Sequence, residues 1–379
     1  MTPTILVANG SSGWGHIKAA RNIVTATQGL AVNWKVEHVD VFSYLPTALK
    51  RLYLLSWRFA SCHFDNIYNH LYQKFAAAHP PASLLRTFCN SIATVLEREY
   101  KGKNLYAYVA THSLAAAVGS ILKERLGCKL AVVATDFVLH SLQVFKNVDF
   151  YCVPPIYATL MDSETMNLLD GKLHRTGIPI GSEFALRKDH DSVARRLGIG
   201  PSCVTVLFSF GGSGLRANKH IGLFEELLAL QIPIHLVVLA GQNYRFANSL
   251  RANYSRSQYA GRIKIFSYME DVSDLYVAAD LFLGKAGGLS ISEALATGLP
   301  IGLIDALPGQ ESYNVDVITR HGVGHYLKST REVVEWVTAF RKATPNGGRQ
   351  TSGLAKPRSS TAIASEIYRV VQGRSLGEV

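Results

Sequence analysis

Four short stretches combine small, polar and acidic residues at spacings that can hold a phosphorylated sugar and move a proton. The first, Gly10-Ser-Ser-Gly13-Trp-Gly15-His16, follows an apolar run and opens a helical stretch. Small residues there let backbone N–H groups approach an anion, and a helix N-terminus adds partial positive charge. Gly13 and Gly15 are therefore candidate diphosphate contacts. His16 sits at the helix start, where the dipole favours a neutral imidazole able to act as a general base. A glycine-rich turn with a capping histidine reads equally well. Neither the Walker pattern nor the dinucleotide Gly-x-Gly-x-x-Gly is present.

A second glycine-rich loop, Phe208-Ser-Phe210-Gly211-Gly212-Ser213-Gly214, stands at the equivalent place in the second half of the chain. The third stretch, Gly284-Lys285-Ala286-Gly287-Gly288-Leu-Ser290-Ile-Ser292-Glu293, is more specific. Gly287 and Gly288 can present N–H groups to a diphosphate, and Glu293 can accept two hydrogen bonds from a ribose diol. A solvent-facing glutamate in the first turns of a helix is the competing reading. In the fourth, Pro308-Gly309-Gln310-Glu311 with Asn314, adjacent amide and carboxylate suit a polyol. Asp189-His-Asp191 reads as a helix cap rather than a metal site, and no metal is expected.

Along the chain, β-branched runs alternate with helical stretches. Thr4–Ala8, Trp34–Val39, Tyr106–Ala110, Leu130–Thr135 and Phe150–Val153 read as strands. The pattern restarts with Val204–Phe210, Ile234–Ala240, Ile263–Phe266, Asp280–Leu283 and Pro300–Ile304. Alternation of this kind implies parallel βαβ units. The expected architecture is α/β, with two Rossmann-like domains and a cleft between them, at the carboxyl ends of the strands. The expected division is residues 1–178 for acceptor binding, 179–345 for donor binding, and 346–379 for a flexible loop with a C-terminal helix over 361–372.

The 379 residues fit two domains, and 48% hydrophobic against 18% charged residues excludes a disordered chain. No apolar run is long enough to span a bilayer, and no secretory signal is expected. Five scattered cysteines without a Cys-x-x-Cys pair argue against a disulfide or zinc framework. The net charge is +11, from 39 Lys+Arg against 28 Asp+Glu. Residues 44–90 hold nine aromatics and five basic residues against one acid, with Leu45, Leu49, Leu52 and Leu55–Phe59 at near-helical spacing. That composition fits a surface dipping into an anionic membrane, or else a core helix. No nucleic-acid recognition motif is seen.

The third and fourth stretches together resemble the donor half of GT-B glycosyltransferases. The closer likeness is to monogalactosyldiacylglycerol synthases and processive diacylglycerol glucosyltransferases, over roughly residues 5–330. Gly15-His16 resembles that family's glycine-rich loop and histidine. Thr111-His112-Ser113 resembles its Thr-His-Pro, and Thr135-Asp136-Phe with His140 and Asn147-Val-Asp149 its Thr-Asp-Phe segment. Thr176-Gly-Ile-Pro179-Ile180 resembles its interdomain segment. Gly284 stands where the family has a hydroxyl residue, and Ser113 where it has proline.

The resemblance implies a GT-B fold and an inverting, metal-independent transfer of a hexose, such as glucose or galactose, from a UDP-sugar to a hydroxyl of a lipid, diacylglycerol foremost. Under it, Phe266, Tyr268 and Met269 hold uracil and Glu293 the ribose. Gly211, Gly212, Ser213, Gly287 and Gly288 take the diphosphate, and Gln310 and Glu311 the sugar. His16 deprotonates the acceptor. Asp136 polarises His16, contacts the acceptor or closes a turn, and His112 and His140 are acceptor-side candidates. The expected location is cytoplasmic, peripheral to the inner face of the cell membrane, with no cofactor besides the donor and no nucleic-acid partner. A soluble natural-product acceptor and a UDP-sugar 2-epimerase are the alternatives.

Overall fold

The structure is a computed structural model that describes residues 2–11, 13–63, 82–200, 203–344, 348–349 and 352–373. The chain divides into two compact units, one of Met1–Ser182, Pro308–Tyr313 and Arg358–Val379, the other of Glu183–Leu307 and Asn314–Pro357. Among the described residues no helix is long and apolar enough to cross a membrane.

In the first unit the strands are β1 (Thr4–Asn9), β2 (Lys35–Asp40), β3 (Leu105–Ala110), β4 (Lys129–Val133), β5 (Val138–His140), β6 (Phe150–Cys152), β7 (Ala158–Leu160) and β8 (Leu173–His174). Six of them form one sheet in the order β2-β1-β3-β4-β6-β8, and β5 pairs with β7 alone. The pairings are parallel. β1 is buried along its whole length, because side chains alternate between two covered faces. Leu6, Ala8, Tyr108 and Leu130 face one core with Ile92 and Leu96 of the helix Ala82–Tyr100. Ile5, Val7, Val109 and Ala131 face the other, with Ala20 and Ile23 of the helix Trp14–Gln28.

That second face is completed from the far end of the chain. The C-terminal helix runs over Ser359–Gln372, two residues longer at its start than expected, and buries Ile363 and Ile367 against the β1–β3–β4 face. Ser359 Oγ accepts from the backbone N–H of Ile180 at 3.2 Å, and Ser360 donates to the carbonyl of the same residue. The helix therefore belongs to the first unit and is no separate tail.

The second unit holds β9 (Val204–Ser209), β10 (Ile234–Leu239), β11 (Ile263–Phe266), β12 (Leu281–Lys285), β13 (Ile301–Asp305) and β14 (Gly324–Tyr326). Their order is β11-β10-β9-β12-β13-β14, with parallel pairing. The turns leaving β9 and β10 interlock. Gly214 has φ +61°, and a Cβ there would lie 2.1 Å from the carbonyl oxygen of Ala240. Only glycine meets both demands. Gly284 answers the departure noted in the sequence: it sits in β12 beside Ser209, and a Cβ would come within 2.6 Å of the Ser209 carbonyl oxygen.

The apolar segment after β2 does not form a core helix. Leu45 is buried, but the helix Thr47–His63 leaves Leu49, Leu52, Leu55 and Phe59 exposed on one face, at 42%, 66%, 66% and 57%. Residues 64–81 of the proposed membrane segment, and 346–347, 350–351 and 374–379 of the expected tail, lie outside the described residues.

Candidate functional site

Each unit gathers its own set of candidate groups at the carboxyl ends of its strands. In the first, the loop after β1 enters the helix Trp14–Gln28 through Gly13, an extended N-cap with no side-chain capping bond. His16 is thus in the first turn, with Gly15 exposed beside it. Its Nδ1 lies 2.6 Å from the carbonyl oxygen of Thr111, which follows β3. A carbonyl only accepts, so Nδ1 carries the proton and Nε2 keeps the lone pair. Thr111 returns the grip, donating from Oγ1 to the backbone oxygen of His16 at 3.1 Å. Thr135, after β4, places Oγ1 3.1 Å from the same Nδ1. Burial lowers the His16 pKa, and the Asp136 charge and the Thr111 bond offset this only in part. The ring is neutral near pH 7.

His112 packs edge-on against His16, ring centroids 4.8 Å apart. Its Nδ1 accepts from Leu114 N–H at 3.1 Å, so it caps the helix Ser113–Leu126. Ser113 is then the first helical residue, a position proline also suits, which accounts for that departure from the family pattern. Gly10 is obligatory for the same packing, since a Cβ would come within 2.7 Å of the His112 ring. His140 is buried, and burial with the nearby His16 pushes it down to about 4. His112 is lowered well below its usual value by burial, then by His16 and His140. The structure therefore brings His16, His112, Asp136 and His140 together. It also adds Thr111 and Thr135, to which sequence reasoning had given no role.

In the second unit, Gly211 and Gly214 turn the loop after β9 through left-handed conformations at φ +69° and +61°. Gly212 and Ser213 lie between them. Lys285, at the end of β12, reaches under this loop, its Cε 3.4 Å from where a Gly211 Cβ would stand. Gly287 caps the helix Gly288–Thr297 with no side-chain bond, so the first N–H groups are open to an anion. Glu293 is 4% exposed, which excludes the solvent-facing reading. Burial and then the Glu293 carboxylate push the Tyr276 hydroxyl well above its usual range. Asn314 Nδ2 donates to the Ala286 carbonyl at 2.8 Å, fastening the helix Gln310–Arg320 to the same loop. Gln310 and Glu311, which belong to the first unit, stand half-buried on that helix's first turn.

Phe266 closes β11, and half-buried Tyr268 and Met269 follow it. Asp189 caps the helix His190–Arg196 by accepting from Ser192 N–H at 2.7 Å. Arg216, left-handed at φ +64°, pairs with buried Asp305 at 3.2 Å. Burial alone raises the Asp305 pKa, but His220, 3.9 Å away, and the Arg216 charge bring it below the usual value. Neither Arg216 nor Lys285 was assigned from sequence. A lysine inside a glycine-rich stretch was the available signal for Lys285, and Arg216 had none.

The glycosyltransferase family 28 C-terminal domain matches residues 206–347, which holds the second unit's glycine loops and Glu293. The processive diacylglycerol beta-glucosyltransferase of Staphylococcus saprophyticus is 24% identical over 97% of this chain and 90% of its own length. That of Bacillus licheniformis is 28% identical over 62% of this chain and 61% of its own length. The chain has a GT-B fold, and its residues 206–347 resemble a glycosyltransferase donor-half domain. Among solved structures, Acinetobacter baumannii MurG superposes with TM-score 0.58 at 13% identity, covering 97% of this chain and all of MurG (100%). A putative UDP-N-acetylglucosamine 2-epimerase of Listeria monocytogenes gives 0.61 at 11%, covering 99% and 98%. At such identities these two speak for the fold alone. The chain keeps the Pro308-Gly-Gln310-Glu311 and Glu293 positions of the resemblance noted above. Its two departures, Ser113 and Gly284, each have a local steric or capping reason.

Proposed function

We propose that the protein transfers a hexose from a UDP-sugar to a hydroxyl of diacylglycerol, with inversion, at the inner face of the cell membrane. The observation that carries this reading is the fixed tautomer of His16. Its Nδ1–H is committed to the Thr111 carbonyl at 2.6 Å, and its lowered pKa leaves Nε2 unprotonated and basic at neutral pH. In the step itself, the acceptor O–H proton goes to Nε2 as the acceptor oxygen bonds to the anomeric carbon. The bond from that carbon to the diphosphate oxygen breaks, and UDP leaves with the electron pair. No enzyme nucleophile is required. In the second unit, Glu293 holds the ribose, and Phe266, Tyr268 and Met269 the uracil. The N–H groups of Gly287 and Gly288 and the Gly211–Ser213 loop stabilise the leaving diphosphate. Gln310 and Glu311 hold the sugar. The lipid acceptor rests on the relatives' names and on the exposed apolar face of the helix Thr47–His63.

His16→Ala is expected to lower kcat by at least about a hundredfold, the usual worth of a general base. UDP affinity by calorimetry should stay unchanged. A UDP-release assay on a panel of UDP-sugars, with and without diacylglycerol, reads the activity. UDP release that does not depend on lipid, or wild-type turnover in His16→Ala, would overturn the assignment.

A further inference from the structure

Among the described residues, His16 meets no carboxylate directly. Its Nδ1 faces two oxygens, the Thr111 carbonyl at 2.6 Å and Thr135 Oγ1 at 3.1 Å. Thr135 Oγ1 in turn lies 3.4 Å from Asp136 Oδ2. The direction of these bonds follows from donor and acceptor arithmetic. If Thr135 donated to Nδ1, that nitrogen would be bare and would face the Thr111 carbonyl lone pair to lone pair at 2.6 Å. Nδ1 must therefore be the donor to both oxygens. The Thr135 hydroxyl, having accepted, has its own proton left for Asp136. Thr135 is buried, and the loop is pinned by Ala134 N–H to the Cys152 carbonyl at 2.9 Å. A desolvated hydroxyl in this position transmits charge strongly.

We propose that Thr135 is a positioning residue, through which Asp136 stabilises the imidazolium formed on His16 when the acceptor is deprotonated. The inference rests on the glycosyl-transfer reading above. No proton passes along the chain: the one taken from the acceptor stays on Nε2, and the one on Nδ1 stays where it was. As positive charge develops, the Thr135 oxygen, its hydrogen held by Asp136, turns its lone pair more strongly toward Nδ1–H. The other titratable groups facing His16 are His112 and His140, both held neutral by burial, so Asp136 is the charge that sets the balance.

The test is an NMR titration of the His16 ring in the full chain, with its signals assigned by their loss in His16→Gln. Thr135→Val removes the hydroxyl at similar shape. The His16 pKa should fall by roughly one pH unit, and kcat should fall roughly tenfold, the scale of one hydrogen bond to a charged group. KM for the UDP-sugar should be unchanged. Thr135→Ser should restore both the titration and kcat. Asp136→Asn should lower the same pKa, and combining it with Thr135→Val should lower it by less than the sum of the two single effects. Should Thr135→Val not fold, Thr135→Ala serves in its place. An unchanged His16 pKa in the hydroxyl-less variant, or strict additivity in the double variant, would overturn the proposal. A lowered pKa with unchanged kcat supports the positioning of His16 by Thr135 and counts against His16 as the base, so the two readings fail separately.

Discussion

His140 shows how a single buried side chain ties stability to pH. Its pKa drops from 6.5 in an open chain to about 4 in the fold, because burial penalises the charged ring and His16 stands nearby. His112 and His16 are lowered as well. A histidine whose folded pKa lies below its unfolded value resists protonation in the native state. Its contribution is intact above the unfolded value and is lost as pH falls toward the folded one. The first unit should therefore weaken between pH 6.5 and about 4. His140 alone would contribute on the order of 3 kcal/mol to that loss, at about 1.4 kcal/mol per pH unit. Urea unfolding followed at several pH values measures it. His140→Gln, which cannot titrate, should flatten the slope over this range; an unchanged slope would mean that His140 titrates normally. The sequence marked His140 only as an acceptor-side candidate. Its burial arises from neighbours distant along the chain, which no local pattern reports.

At the scale of elements, the C-terminal helix is the clearest case of a long-range partner. Ile363 and Ile367 are one helical turn apart and pack on Ile5, Val7 and Val109 across the face of the sheet. Truncating a fully buried isoleucine to alanine costs roughly 2–5 kcal/mol, from lost burial and from the cavity left behind. Ile363→Ala should lower the urea midpoint of the first unit by a corresponding amount. The exposed Thr361, on the same helix, serves as control: Thr361→Ala should change little. Equal midpoints for Ile363→Ala and the parent protein would mean that the helix is dispensable. The periodicity of Ile363, Ala364, Ile367 and Tyr368 made this helix legible, though not the surface it covers. The long buried strands were legible for a similar reason, since runs such as Ile5–Ala8 and Val204–Phe208 have no polar face. The short strands β5, β7, β8 and β14 were missed, because two or three residues carry no period. The glycine loops and Glu293 were legible as motifs. Thr111 and Thr135 acquire their roles only when β1, β3 and β4 lie side by side, bringing residues 95 and 119 positions apart into contact with His16.

For the whole molecule, the net charge of +11 and the exposed face of the helix Thr47–His63 bear on the same question. The basic residues of this region do not all count equally. Lys50 is paired with Asp40 at 3.3 Å, whereas Arg51 and Arg86 are exposed. Electrostatics then supplies long-range attraction that fades over a Debye length of about 8 Å at physiological salt, and apolar insertion supplies what salt does not remove. Burying one leucine fully is worth roughly 1.5–3 kcal/mol, so losing two insertions should weaken binding by well over tenfold. Leu52→Ser with Leu55→Ser should therefore cut co-sedimentation with vesicles containing anionic lipid, while leaving turnover on detergent-dispersed diacylglycerol near the parent value. Raising the salt should weaken the parent protein only in part, and should nearly abolish the residual binding of the double variant. If the variant binds vesicles as the parent does, membrane docking by this helix is wrong. If both bind neutral and anionic vesicles equally and negligibly, the positive charge has a different purpose, and the acceptor must reach the enzyme without the help of this face.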